Sequence, residues 1–146
     1  MTAFHVALGV AVVAVNLAAG LLGAWRWRQG LPSRAFWPLL RAGQALVVVE
    51  ALDGGILVAL GRELPELHLI YGLVPLGVAF VAEQLRLASA DTVLQQRGLE
   101  GSAAVGRLPE AEQREVVLAI LRREMGVMAA SALVVTLLGL RAGHWL

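Results

Sequence analysis

Residues 3–25 read AFHVALGVAVVAVNLAAGLLGAW, a stretch without one Asp, Glu, Lys or Arg. A helix that crosses a bilayer needs about 20 mostly apolar residues, and this run supplies them. Three further segments have the same character. They are Phe36–Leu60, a run from Glu66 to near Glu83, and one from near Met125 to Leu140. With helical flanks included, the spans become residues 3–25, 36–60, 66–88 and 118–140. None alternates with the period of two that a half-buried strand would show, so each reads as a helix. The expected fold is all-α: a polytopic membrane protein, one domain, an up-down four-helix transmembrane bundle.

Composition points the same way. Of 146 residues, 58% are hydrophobic and 16% charged, against about 25% charged in an ordinary soluble domain. Mean hydropathy is +0.72. A soluble chain of this size could not hide so much apolar surface. The net charge of +1 creates no field that would attract nucleic acid. Cysteine is absent, which excludes thiol redox chemistry, iron–sulfur clusters and cysteine zinc sites. No cleavable signal is expected, because the first apolar stretch follows an uncharged N-terminus and is too long for a signal h-region. No Ser–His–Asp set, glycine-rich phosphate loop or H-E-x-x-H motif is present, so a hydrolase is the least expected class.

Arginine placement sets the expected orientation. Arg26, Arg28 and Arg34 lie in the first connection, with Arg41 just inside the second span. Arg86, Arg97, Arg107, Arg114, Arg122 and Arg123 lie in the third, against only Arg62 and Arg141 on the opposite side. The first and third connections are therefore expected in the cytoplasm and both termini outside, across a plasma (inner) membrane. Trp25, Trp27, Trp37 and Trp145 fall at the expected interfaces, as an aromatic belt requires.

The third connection reads as more than a loop. Leu85, Leu87, Val93 and Leu94 keep a helical pattern, Gly98–Gly106 is small and turn-like, and Pro109 suits a first helical turn. Val116, Val117, Ile120 and Leu121 then resume the pattern. The third and fourth span helices are expected to continue into the cytoplasm as an antiparallel hairpin over residues 84–124. It is either a solvated extension packed on itself or a docking element for a membrane protein partner. Its arginines are interleaved with Glu100, Glu110, Glu112 and Glu115, which gives no nucleic-acid surface.

Polar groups in lipid are expensive and therefore informative. His5 opens the first helix, His68 the third, and His144 follows the fourth. At 3.6 residues per turn, His5 shares a stripe with Gly9, Asn16, Gly20 and Gly23, a small and polar face suited to the bundle interior. His68 shares a face with Tyr71, Gly72 and Pro75. Gly9 and Gly72 each lie about one turn deeper than a histidine, where the missing side chain leaves space for a flat cofactor or for a close helix contact. In an up-down bundle the first and third helices are diagonal, roughly 11–14 Å apart. Two inward imidazoles with an iron between them fill that gap, so bis-histidine ligation of haem b by His5 and His68 fits. His144 reads as part of a polar tail.

The second helix carries Gln44, Glu50, Asp53, Gly54 and Gly55. Glu50 and Asp53 are on one face, and each costs about 2.5–3.5 kcal/mol on insertion scales if unpaired. Their candidate partners are His5, His68 and Arg141. They are histidine-orienting groups, a proton or cation site, or a satisfied polar pair.

In order, these residues are a histidine opening a helix, Trp25-Arg26-Trp27-Arg28, Gln44, the Gly54-Gly55 step, and Leu67-His68 opening another helix. Over roughly Phe4–Arg86 this resembles one four-helix unit of the haem A synthase family. The resemblance implies a haem-binding bundle in which His5 and His68 correspond to paired axial ligands on the outer side. Glu50 and Asp53 stand where the family commonly has glutamine and an apolar residue. One bundle is present where the enzyme has two, so haem A synthesis by this chain alone is not expected.

Three functions stay open at this stage. The leading one is a small haem-binding membrane protein in electron transfer, haem handling or oxidase assembly, with Tyr71, Glu50 and Asp53 around the ligands. The second is a proton- or ion-coupled transport element that titrates Glu50 and Asp53, with Asn16 and Gln44 lining the path. The third is a non-enzymatic scaffold or accessory subunit. The glycine-rich faces also suit contacts between copies of the chain.

Overall fold

The computed structural model describes residues 3–62 and 66–143. His144 and Trp145, both singled out above, lie outside the described residues. The elements are α1 (Ala3–Gln29), α2 (Phe36–Ala59), α3 (Glu66–Gln96), α4 (Ser102–Val105) and α5 (Glu110–Ala142). The described chain is all-α, and α1, α2, α3 and α5 are each long and apolar enough to cross a membrane. The stretch read as a small turn, Gly98–Gly106, contains the single-turn α4.

α1 overruns its apolar span to Gln29 and α2 fills its own, and each ends at a glycine in the left-handed region. Gly30 takes a positive φ of 70°, and Leu31 N–H then donates to the Arg26 carbonyl at 3.1 Å. Gly61 repeats this at φ 77°, with Arg62 N–H reaching the Leu57 carbonyl at 3.1 Å. Both are glycine C-terminal caps that satisfy last-turn carbonyls. At the start of α2, Ser33 Oγ accepts the Phe36 N–H at 3.3 Å, one of the orphan donors of a helix start. With 31 residues α3 is about 46 Å long, and with 33 residues α5 is about 50 Å. Both exceed the roughly 30 Å of a hydrocarbon core. Val93, Leu94 and Val116 are buried together near α4.

Successive long helices are antiparallel neighbours, as their contacts show. His5 at the start of α1 meets Asp53 near the end of α2. His68 at the start of α3 meets Ala142 at the end of α5. Glycines let α1 approach its neighbours. A Cβ on Gly20 would fall 2.6 Å from Leu133 of α5, and one on Gly23 would overlap the Phe36 ring and lie 2.8 Å from Ala129. Here close helix packing explains the small stripe of α1. The main core is Ala19, Phe36, Leu40, Ala82, Met125, Met128, Ala129 and Ala132, and a second layer of Val12, Val47 and Val135 lies toward the termini. Leu52, Ile56, Phe80 and Leu137 point outward, as lipid-facing residues do.

The α2–α3 seam is the loosest of the four between neighbouring long helices. Polar groups hold it at the α4 end. Arg41 and Gln44 of α2 both donate to the Glu83 carboxylate, and Arg86 donates to it at 2.8 Å. Arg86 also reaches Glu124 of α5 at 4.0 Å. Arg41, unable to pair with Glu50 along its own helix, is thus matched across the seam.

Candidate functional site

The termini end of the bundle holds the cluster that the sequence pointed to. His5 is 4% exposed. Its Nδ1 lies 2.8 Å from Asp53 Oδ2, and its Nε2 lies 3.4 Å from Glu50 Oε1. The spacing of Glu50 and Asp53 puts both acids on the side of α2 that faces α1. His68 is half-buried. Its Nδ1 lies 3.2 Å from the Ala142 carbonyl, the right distance for an N–H donated to it. The two imidazole centroids are 5.8 Å apart with the rings tilted by 55°. Helices diagonal across the bundle thus deliver their histidines to one point.

Both rings line a cavity of about 410 Å³. Val47, Val58, Leu69 and Leu73 make its walls apolar, while Glu50 and Tyr71 add polar groups. The glycines divide into two kinds. A Cβ on Gly9 would meet Glu50 Oε1 at 3.3 Å, and one on Gly54 would meet His5 Cε1 at 3.7 Å. Gly55 and Gly72 face open space, with no heavy atom of the described residues within 4 Å of an added Cβ. The room beside Gly9 is therefore taken by the Glu50 carboxylate, and only at Gly72 does the space expected beside a histidine remain open. Pro75 lies in α3 and lines the same cavity. Having no N–H, it leaves the Tyr71 carbonyl out of the helical ladder.

Asn16 and Gln44 do not join this cluster. Asn16 is buried and donates to the Val12 carbonyl at 2.9 Å and to the Gly43 carbonyl at 3.4 Å. Gln44 belongs to the Glu83 group at the α4 end. The buried residues Val12 and Val47 lie between these two side chains and the histidine cluster along α1 and α2, and Gln44 bonds to Glu83 at the other end. Sequence reasoning passed over Glu83 and Glu124. Their signal was present as acids lying close to the arginines of the same helical ends.

The donor set is of a kind that would suit a haem. A metal-ligating histidine typically gives its other ring nitrogen to a carboxylate or carbonyl. His5 has Asp53 there and His68 has the Ala142 carbonyl, so Nε2 is the nitrogen that would ligate in both. Metal–imidazole bonds of about 2.0 Å on opposite sides of one ion place ring centroids roughly 6 Å apart, close to the observed 5.8 Å. Among the described residues Glu50 competes, because its Oε1 lies 3.4 Å from His5 Nε2 and would have to turn away for ligation. Its Oε2 is buried and has no hydrogen-bond partner among the described residues, so turning would cost only the Oε1 contact with His5. Among the described residues, no three His, Asp or Glu side chains converge as a ready site for a bare ion. The two acids beside His5 sit on different ring nitrogens, which is why they do not. Comparison with protein-family models, curated proteins and solved structures returned no match to this chain.

Proposed function

We propose that the chain is a multi-pass membrane protein of the plasma (inner) membrane that binds one haem b between His5 and His68 and serves electron transfer, haem handling or oxidase assembly. The carrying observation is that both imidazoles reach a common cavity with Nδ1 already engaged by an acceptor. Asp53 fixes the tautomer and plane of His5, and the Ala142 carbonyl does the same for His68. Gly55 and Gly72 leave room for a flat ring, and the valines and leucines around them exclude water. When bound, haem supplies one-electron chemistry at its iron.

In this reading the arginine-rich ends face the cytoplasm, the haem lies near the outer leaflet, and α3 and α5 extend into the cytoplasm as a hairpin. That hairpin is where a membrane protein partner would dock. The direct test is stoichiometry. Protein from haem-supplemented expression, purified in mild detergent, is expected to carry one haem per chain. Folded protein without haem under those conditions overturns the reading.

A second reading rests on one observation, the buried and unpartnered Oε2 of Glu50 beside His5. An ionisable group held this way inside a membrane bundle is a candidate proton site. Proton flux into liposomes that is lower for Glu50→Gln than for the unaltered protein supports it. Equal flux removes it.

A further inference from the structure

The cavity reaches the outside of the bundle along one seam. Gly55 and Val58 of α2 and Leu69 and Leu73 of α3 line it while also being exposed on the outside of the bundle. These four stand along one seam, the loosest between neighbouring long helices. The other long-helix seams around α1 are drawn tight by glycines. Gly20 and Gly23 bring α1 against Leu133 and Ala129, Gly139 brings α5 against Val13, and Gly43 brings α2 against Asn16. Among the described residues, the α2–α3 seam has no such contact at its termini half. Gly55 and Gly72 face open space there instead. At its other half it is held by Glu83 with Arg41 and Gln44, and the buried layer Val12–Val47–Val135 floors the cavity. The opening is thus confined to one leaflet and walled by side chains that lipid tolerates.

We infer that the cavity is filled laterally from the bilayer, between the termini halves of α2 and α3, so its occupant is a membrane-dissolved amphiphile with a flat apolar body. Haem belongs to this class, and in naming the route for haem the inference rests on the reading above. The lateral opening itself does not depend on that reading. An apolar throat of glycine, valine and leucine gives no ligands to a hydrated ion, which would have to shed its water to pass. A flat apolar body loses nothing in leaving the acyl chains for such a wall. The imidazoles and Glu50 then meet its polar part at the inner end.

The test exploits the absence of cysteine. Single-cysteine variants Gly72→Cys and Gly55→Cys, one on each wall, are labelled with a small fluorophore in liposomes without haem. Leu137→Cys, on the outward face of α5, is the lipid-facing control. Quenching by nitroxide-bearing lipid at 72 and 55 comparable to that at 137 is expected, with little quenching by aqueous iodide. Strong iodide quenching without lipid quenching overturns the inference, because the cavity then opens to water. No quenching by either overturns it as well, because the cavity is then sealed.

A second arm adds haem from the membrane to the unaltered protein and to Leu73→Trp, which narrows the throat at an exposed wall residue off the face that carries His68 and Gly72. Loading by the unaltered protein and its loss in the narrowed variant are expected. Unimpeded loading of the narrowed variant overturns the lateral route. Failure of the unaltered protein to load speaks against the haem reading alone, since the quenching arm contains no haem.

Discussion

The imidazoles of His5 and His68 lie 5.8 Å apart, although one begins α1 and the other begins α3, on opposite corners of the bundle. Each is held by a different neighbour. Asp53 of α2 takes His5 Nδ1, and the Ala142 carbonyl of α5 takes His68 Nδ1. All four long helices therefore contribute to the position of one pair of rings. Removing an orienting partner should weaken the site without removing a ligand.

Asp53→Asn is the sharpest case. The amide keeps the size of the carboxylate but can present a donor to His5 Nδ1. Partners of this kind are typically worth about 10–100-fold in affinity. We expect haem loss to an apo-globin acceptor to speed up by about that factor, with the band positions unchanged. An unaltered loss rate would show that Asp53 does not orient His5.

Glycine substitutions should separate packing from binding. Gly23→Ala forces a methyl group onto Phe36 and Ala129, and overpacking of this sort costs about 1–3 kcal/mol. Gly72→Ala meets nothing and gains helix propensity of up to about 1 kcal/mol. Thermal unfolding in detergent should fall for the first and hold or rise for the second. The reverse order would mean that α1 is not seated against α2 and α5 as described.

The four spans were legible because twenty-odd apolar residues without charge admit few other readings. The pairing of His5 with His68 was legible too, since helical phase and an up-down order put both on the diagonal at one end. The occupancy of the space beside Gly9 was not. It depends on which way the Glu50 side chain turns, and periodicity along a helix is silent on that. The bond from Gln44 to Glu83 was not legible either. Its partner Glu83 is distant in sequence, and only the α2–α3 register brings them together.

Glu83 carries a prediction about that seam. Its carboxylate accepts from Arg41, Gln44 and Arg86, and it is partly exposed, so each bond is discounted for solvent. Glu83→Gln should cost about 1 kcal/mol and let α2 move away from α3. Faster labelling of Gly55→Cys in the Glu83→Gln background would report that movement. Identical labelling would mean the seam is closed by other contacts.

Glu50 tests the cost of a buried acid. Its Oε2 has no partner, and an unsatisfied buried group costs about 1–3 kcal/mol. Glu50→Met keeps the volume and leaves the His5–Asp53 bond in place. The haem-free protein should become more stable by about that amount. A loss of stability would show that the contact of Glu50 with His5 outweighs the desolvation of its carboxylate.

The most direct measurement is the reduced-minus-oxidised absorption spectrum of the haem-supplemented protein and of His5→Ala and His68→Ala. We expect a sharp reduced α-band in the unaltered protein and its loss in both variants, with all three folded by circular dichroism. A spectrum with no Soret band in the unaltered protein, or an α-band that survives either substitution, would contradict ligation by this pair.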